Sequence, residues 1–442
     1  MAAATNVITS TASLGTLMRQ VQTKAYKAAN FGFDEWNEFE KGRLGKDFKV
    51  AWSTRSILVP LDLAKGIGTA SIPEGGYEAR PSSPALVEAS LSFVMWNKRI
   101  TFSRLQEILR QKSRDAFIEN DLKYQGLKAV ESFREKFAMN AYGFSSGTIA
   151  LVSGSPGGVG NNDLTLRDMY GVSGLGSLAH NRQVVDQLQA GSLPTGGDFI
   201  AVLNPVGPTL RAGGIVQVTA KNRSTNTITC GASGITGVAD GDLIVFANNN
   251  ENTTLAGGTE RNLNLPGLLD MLTSASLHNI SGGPSGSYPQ WTAGYTDTSG
   301  GKFTPVKYRK MKQGVQNNGP AGSDLTDLWL AQGVFNDLTA QQEAGVRFGG
   351  GGPFELDGEP TAKGVKIHQS RFTPDTYVFG YDKNNSIRKG QLFPGPDEQP
   401  FDEENTDKLE NLSAKAASLD FPIFLFTTSR GAMGYASGAT QQ

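Results

Sequence analysis

The chain's imidazole and thiol groups are His180, His278, His368 and Cys230. The histidines are far apart and lack the two-His helical spacing that sets both rings on one zinc ion. A single cysteine closes no intrachain disulfide and builds no cysteine metal centre. SGGKFT, Ser299–Thr304, has neither the glycine spacing nor the hydroxyl directly after lysine with which a phosphate loop wraps a nucleotide. GVSGLGSLAH, Gly171–His180, has its glycines in the wrong order for a dinucleotide turn and follows no clear strand. The acidic run DEENTD, Asp402–Asp407, lacks the glycine and spaced oxygen ligands of a calcium loop and reads as solvated surface. No Gly-x-Ser-x-Gly elbow occurs. The residues therefore assign no catalytic, cofactor-binding or metal site, and the expectation is a protein that is not an enzyme. An α+β hydrolase stays as a lesser alternative, because catalytic triads assemble from distant positions.

The composition narrows the class further. A chain of 442 residues exceeds the size at which one core usually keeps growing, so two or three subdomains are expected. The 54 glycines point to many loops and turns. A formal net charge of -1 argues against a dedicated nucleic-acid binder and leaves room for local basic patches. The first thirty residues lack a basic start with a long apolar run, and no window has the apolar length of a membrane span. The expectation is a soluble protein made in the cytoplasm, with no membrane partner.

Positioning elements come next. Residues 1–46 read as a polar arm with a short amphipathic segment and the aromatics Phe31, Phe33 and Trp36. FKVAWSTRSILVPLDL (48–63) and LVEASLSFVMWNKRITF (86–102) are β-rich runs joined by a Gly/Pro tract, which predicts a hairpin. A run of about seventeen residues would reach on the order of 55 Å, far beyond a usual strand, and needs another surface beneath it. Residues 103–142 lack proline and carry an apolar stripe from Leu105 to Ala141, which predicts a helix of up to roughly 60 Å with Gly126 as its weak point. GTIALVSG reads as a strand, 164–188 as a helix, 199–246 as a small β subdomain, and SDLTDLWLAQGVFNDL (323–338) as a second helix with a Ser323 or Asp324 cap. VKIHQS, TYVFGYD and DFPIFLFTTS read as C-terminal strands.

This order of arm, long hairpin, very long helix and mixed domain with returning strands resembles the tailed-bacteriophage major capsid proteins of the Hong Kong 97-type fold. EGGYEA (Glu74–Ala79), ESFREKFAMNAYGFSSGTIALVSG (Glu131–Gly154) and LPGLLDMLT (Leu265–Thr273) have textures similar to that family. The resemblance covers nearly the whole chain and rests on element order. It implies an α+β chain divided into an N-terminal arm (1–46), an E-loop hairpin (47–102), a P-domain with its spine helix (103–195), an A-domain (196–350) and C-terminal strands returning to the P-domain (351–442). A β-rich stretch at about 207–250 departs from the family as an insertion.

The function implied is self-assembly, in hexamers and pentamers, into an icosahedral virion shell around double-stranded DNA, built in the host cytoplasm. Trp52, Ile57, Tyr77, Leu91, Phe93 and Met95 would contact a neighbouring subunit through the E-loop. Gly126 would give the spine helix flexibility, or else admit another backbone. A hairpin starting near residue 48 leaves no room for a built-in scaffold, so a separate scaffolding protein is expected, with a portal protein and weak, non-specific contact with the packaged DNA. Some members crosslink through a hairpin lysine. Lys65 lies in the corresponding region, but no catalytic glutamate is assignable. An encapsulin-like compartment shell is the alternative of the same fold.

Overall fold

A computed structural model describes residues 38–41, 46–51, 56–64, 85–91, 94–103, most of 133–142, 147–154, 162–167, scattered positions at 185–191, 197–206, most of 209–247, most of 265–341, most of 361–391, 407–408 and 414–439. Helices and strands are mixed throughout. The chain divides into two compact units, one of Met1–Gly42, Ser92–Ala138 and Lys389–Phe424, the other of Arg43–Leu91, Met139–Arg388 and Leu425–Gln442. No helix among the described residues is long and apolar enough to cross a membrane.

The first unit holds a five-stranded sheet of Glu40–Lys41, Ile387–Gln391, Ala414–Thr427 and Asp407–Lys408, with Val94–Ser103 also on Ala414–Thr427. The Val94–Ser103 pairing is antiparallel along its whole length, from Ser103 opposite Ala414 to Val94 opposite Ile423. A strand from the first quarter of the chain thus lies beside the returning C-terminal strand. Trp96 is buried there, with the Lys136 ammonium 5.4 Å from its ring centre. Phe133 and Phe137, one helical turn apart, are buried, and Phe137 meets Phe39 edge-on at 5.9 Å.

The second unit contains three sheets that matter here. Lys49–Ala51, Ser56–Ala64 and Ala85–Leu91 form an antiparallel three-stranded ribbon. Six antiparallel strands close a barrel in the order Thr227–Cys230, Asp163–Arg167, Thr148–Val152, Leu243–Phe246, Phe199–Leu203 and Leu210–Asn222. Alternate residues such as Ala150, Val152, Leu164, Leu166, Ile200, Val202, Val216, Val218, Ile228 and Ile244 fill its interior, as the period of two requires in a barrel too small for a channel. Asp242, fully buried, accepts two hydrogen bonds from Arg211 at 2.8 and 2.7 Å and one from the Ala239 amide at 2.7 Å.

This barrel corrects two expectations. The β-rich stretch is not confined to 207–250, because two strands from before residue 195 complete the closure. The helix expected at 164–188 begins instead as strand Asp163–Arg167, whose alternating Leu164 and Leu166 point into the barrel.

The six-stranded sheet runs Tyr295–Asp297, Met433–Ala436, Val378–Tyr381, Asp327–Leu330, Val365–Gln369, Thr361–Ala362. Helix Pro305–Asn318 covers one face through Met311 and Val315, which join Phe303, Leu325, Leu328, Leu330, Val365 and Val378 in one core. Its start is set by Thr304, which accepts from the Lys307 amide, and by proline in the first turn. Its approach to the sheet is close enough that a Cβ on Gly431 would fall 2.0 Å from the Asn318 carbonyl. The opposite face is aromatic: Trp329 stacks on His368 at 4.4 Å, and Tyr142 packs against Trp329 and Phe379 at 6.1 and 5.7 Å.

The helix expected over 323–338 is overturned in its first half. Asp327–Leu330 is a central strand with every residue buried, followed by helical residues from 333. Leucines and tryptophan in succession satisfy both covered faces of a central strand as well as they satisfy a helical stripe.

Candidate assembly elements

The ribbon is built by alternation. Ile57, Val59, Leu61 and Leu63 on one strand and Ala89 and Leu91 on the next are buried, while Glu88 and Lys49 are exposed and lie 3.8 Å apart. Ile57 sits opposite Leu91, Pro60 opposite Glu88 and Ala64 opposite Ala85, with the register broken around Leu63. The run read as one strand over 86–102 is two strands, Ala85–Leu91 and Val94–Ser103, which serve different sheets. The sequence shows no glycine or proline at the break, so alternation alone reads straight through it.

The residues expected to face a neighbour fall out as follows. Ile57 and Leu91 come together, and both are buried within their own chain, Ile57 completely and Leu91 to 8% exposure. Met95 lies opposite Pro422 in the other unit's sheet, apart from the ribbon. Trp52, Tyr77, Phe93 and Gly126 lie outside the described residues, as do Lys65, Phe31, Phe33 and Trp36. Own-chain packing of the 47–102 stretch is extensive: strand Val94–Ser103 has a full-length intrachain partner, and Ile57, Val59, Leu61 and Leu63 of the ribbon are buried.

The ribbon is also held by side chains that carry no sequence motif. Asn279 Nδ2 donates to the Ser90 carbonyl at 3.3 Å, and Gln290 Nε2 donates to the Leu63 carbonyl. Both belong to the segment 274–291, which opens with the two-stranded pair Ser276–Leu277 and Ile280–Ser281. His278 and Asn279 turn that pair with φ of 54° and 63°, the left-handed geometry of a two-residue hairpin. Apolar Leu277 and Ile280 around a His-Asn pair are the one local signal that would have marked the turn in advance. Arg430, 2% exposed, donates to the Trp291 carbonyl and the Ser274 carbonyl, each at 2.9 Å. Burial lowers its pKa to about 10, and Asp270 opposes that shift. Burial, with the Arg430 charge adding, lowers the His278 pKa to about 4, and Asp270 again opposes.

The chemical candidates among the described residues are placed as follows. His368 Nε2 and Asp327 Oδ1 are 2.7 Å apart and buried, with Thr326 Oγ1 donating to the second carboxylate oxygen at 2.7 Å. Trp329 Nε1 beside them donates to Tyr381 Oη at 3.0 Å. SGGKFT is a turn: Gly300 and Gly301 have positive φ, Phe303 is buried, and Lys302 pairs with Asp337 at 3.0 Å. Asp297, just before it, accepts from Ser299 and from Lys307, contacts that pull its pKa to about 2. Cys230 lies in the barrel core, where burial, with Asp163 adding, pushes its thiol up to about 12. His180, the Gly171–His180 loop and most of the acidic run lie outside the described residues.

The chain is thus a mixed helix-and-strand protein with a ribbon, a closed barrel and two open sheets. It matches no family model and no curated protein. The solved structures that it resembles include phage capsids and other shells. One is a chain of the cyanophage A-1(L) capsid asymmetric unit, at 9% identity over 93% of this chain and 94% of that one, with a TM-score of 0.48. Another is the capsid of a native GTA particle, at 9% identity over 91% and 89% of the two chains, with a TM-score of 0.42. A third, the SrpI encapsulin from Synechococcus elongatus, is 12% identical over 39% and 56%, with a TM-score of 0.27. At these identities and scores they are likenesses of chain path, and no role is carried over from them.

Proposed function

We propose that the chain is a shell-forming structural protein, the major capsid protein of a tailed bacteriophage with the Hong Kong 97-type fold. The observation that carries this reading is the path around Val94–Ser103. The strands Ser56–Ala64 and Ala85–Leu91 pair with each other, and Val94–Ser103, which follows them, pairs along its whole length with the C-terminal strand Ala414–Thr427. This strand pairing supports the reading.

In this reading hexamers and pentamers of the chain tile an icosahedral head around double-stranded DNA, with a portal protein and a separate scaffolding protein as partners. The base of the ribbon belongs to its own subunit, and the tract 65–84 with Tyr77 reaches a neighbour, as do Trp52 and Phe93. Gly126 is the compliant point of the spine helix. DNA meets the inner surface weakly through local cations such as Arg19, Lys24 and Lys27 of the arm, so binding weakens steeply with salt and shows no sequence preference.

Expression of the full chain, alone and with DNA, followed by electron microscopy of the purified product tests the reading. Closed particles of uniform size support it. A chain that stays monomeric across the accessible concentration range overturns it, and particles filled with protein cargo and no nucleic acid would favour the compartment-shell alternative.

A further inference from the structure

The segment 274–291 touches the ribbon at two places that are far apart along it. Ser90 lies level with Leu58 in the register, and Leu63 is five residues further along the central strand, so the grips on the Ser90 and Leu63 carbonyls are about 16 Å apart at ~3.3 Å per residue. One grip would leave a pivot. Two grips separated along a rod fix its direction. Each carbonyl is suited to the task by its place in the sheet: Ser90 lies on the edge strand, and Leu63 is the extra residue where the register slips between Asp62 and Ala64.

The segment is itself held shut. The Gly282 amide donates to the Ala275 carbonyl at 2.8 Å, the Tyr288 amide to Ser281 at 3.1 Å, and the Trp291 amide to Tyr288 at 2.9 Å. Gly282 is pressed so closely on the far end that a Cβ there would sit 2.0 Å from the Trp291 carbonyl. The two ends, Ser274 and Trp291, are then tied together by the single buried guanidinium of Arg430. Among the described residues, Arg430 Nε, Trp291 Nε1 and His278 Nε2 are buried without a hydrogen-bond partner.

We propose that Ser274–Trp291 is a clasp, locked by Arg430, that sets the direction in which the ribbon leaves the body of the subunit. Asn279 and Gln290 are its gripping residues and Arg430 is the positioning residue behind them. The consequence for assembly rests on the shell reading given above: ribbon direction decides where its far end meets another copy, so releasing the clasp broadens the range of particle curvatures.

The test uses the full chain carrying Asn279→Gly and Gln290→Ala together, and separately Arg430→Lys. Glycine at 279 keeps the left-handed turn while removing the amide, and lysine at 430 keeps the charge while losing the fork that spans two carbonyls. Amide exchange of the unassembled protein is read first. Exchange in Ser56–Ala64 and Ala85–Leu91 rises roughly tenfold in both variants while Asp327–Leu330 stays protected. Unchanged exchange in the ribbon of the double variant, whose two positions lie at the surface and tolerate substitution, overturns the clasp. Particle size is read second: the double variant gives a wider distribution than the parent, and a distribution as narrow as the parent's overturns the link to assembly. Should the parent itself form no particles, the shell reading falls, while the exchange result still decides the clasp.

Discussion

His278 is buried as a neutral imidazole beside the Arg430 guanidinium, and its pKa falls to about 4 from an ordinary 6.5. The folded state binds this proton less readily than the unfolded chain, so the residue's contribution is complete above about pH 6.5 and is lost as the pH falls towards 4. The loss is on the order of 3 kcal/mol for a depression of that size. Thermal melts of the unassembled protein between pH 7 and 4 should show it, and His278→Asn, which suits the left-handed turn, should flatten that part of the profile. Cys230 behaves in the opposite sense. With its thiol raised to about 12 inside the barrel, it should resist alkylation at neutral pH until the protein is denatured, and rapid labelling of the folded chain would contradict the barrel core. Gly431 is fixed by backbone approach, since a Cβ would meet the Asn318 carbonyl at 2.0 Å. Gly431→Ala should cost about 3 kcal/mol in a denaturant melt, and a variant as stable as the parent would mean that the helix sits further from the sheet.

At the scale of elements, the ribbon's register ends with Ala64 opposite Ala85, so the tract between them can be replaced by the Asn-Gly turn that a two-residue hairpin prefers. That shortened chain should fold, with its melting temperature close to the parent's, and should fail to assemble. A collapse of folding would show instead that the tract belongs to the core. The sequence made much of this layout legible. Strong alternation marked the β-rich runs 48–63 and 86–102, and turn residues bounded the strands after 199. It hid the break at residues 92–93, because Leu91 to Trp96 keeps its apolar character across two sheets. It hid the helix Pro305–Asn318, because only Met311 and Val315 are buried there and the stripe is narrow. It also turned Asp327–Leu330 into a helix, since a strand covered on both faces shows no alternation. The gripping residues were illegible for a different reason. Asn279, Gln290 and Arg430 act on backbone carbonyls, which any sequence supplies, so neither spacing nor residue type betrays the partner.

At the scale of the whole molecule, the described residues form covered sheets, a closed barrel and a ribbon held by side chains of the segment 274–291. Two polar pairs fasten those layers: Asp327 with His368, both buried, and buried Asp242 with the partly exposed Arg211. In the shell reading we propose, such a chain would act through copies of itself. Sedimentation of the full-length chain across a concentration series, with micrographs of the fastest fraction, tests that claim most directly. A shell-forming chain gives a concentration-dependent jump from single chains to closed particles of megadalton mass and one predominant diameter; a single slow species at every concentration, with no particles in the micrographs, would contradict the shell reading.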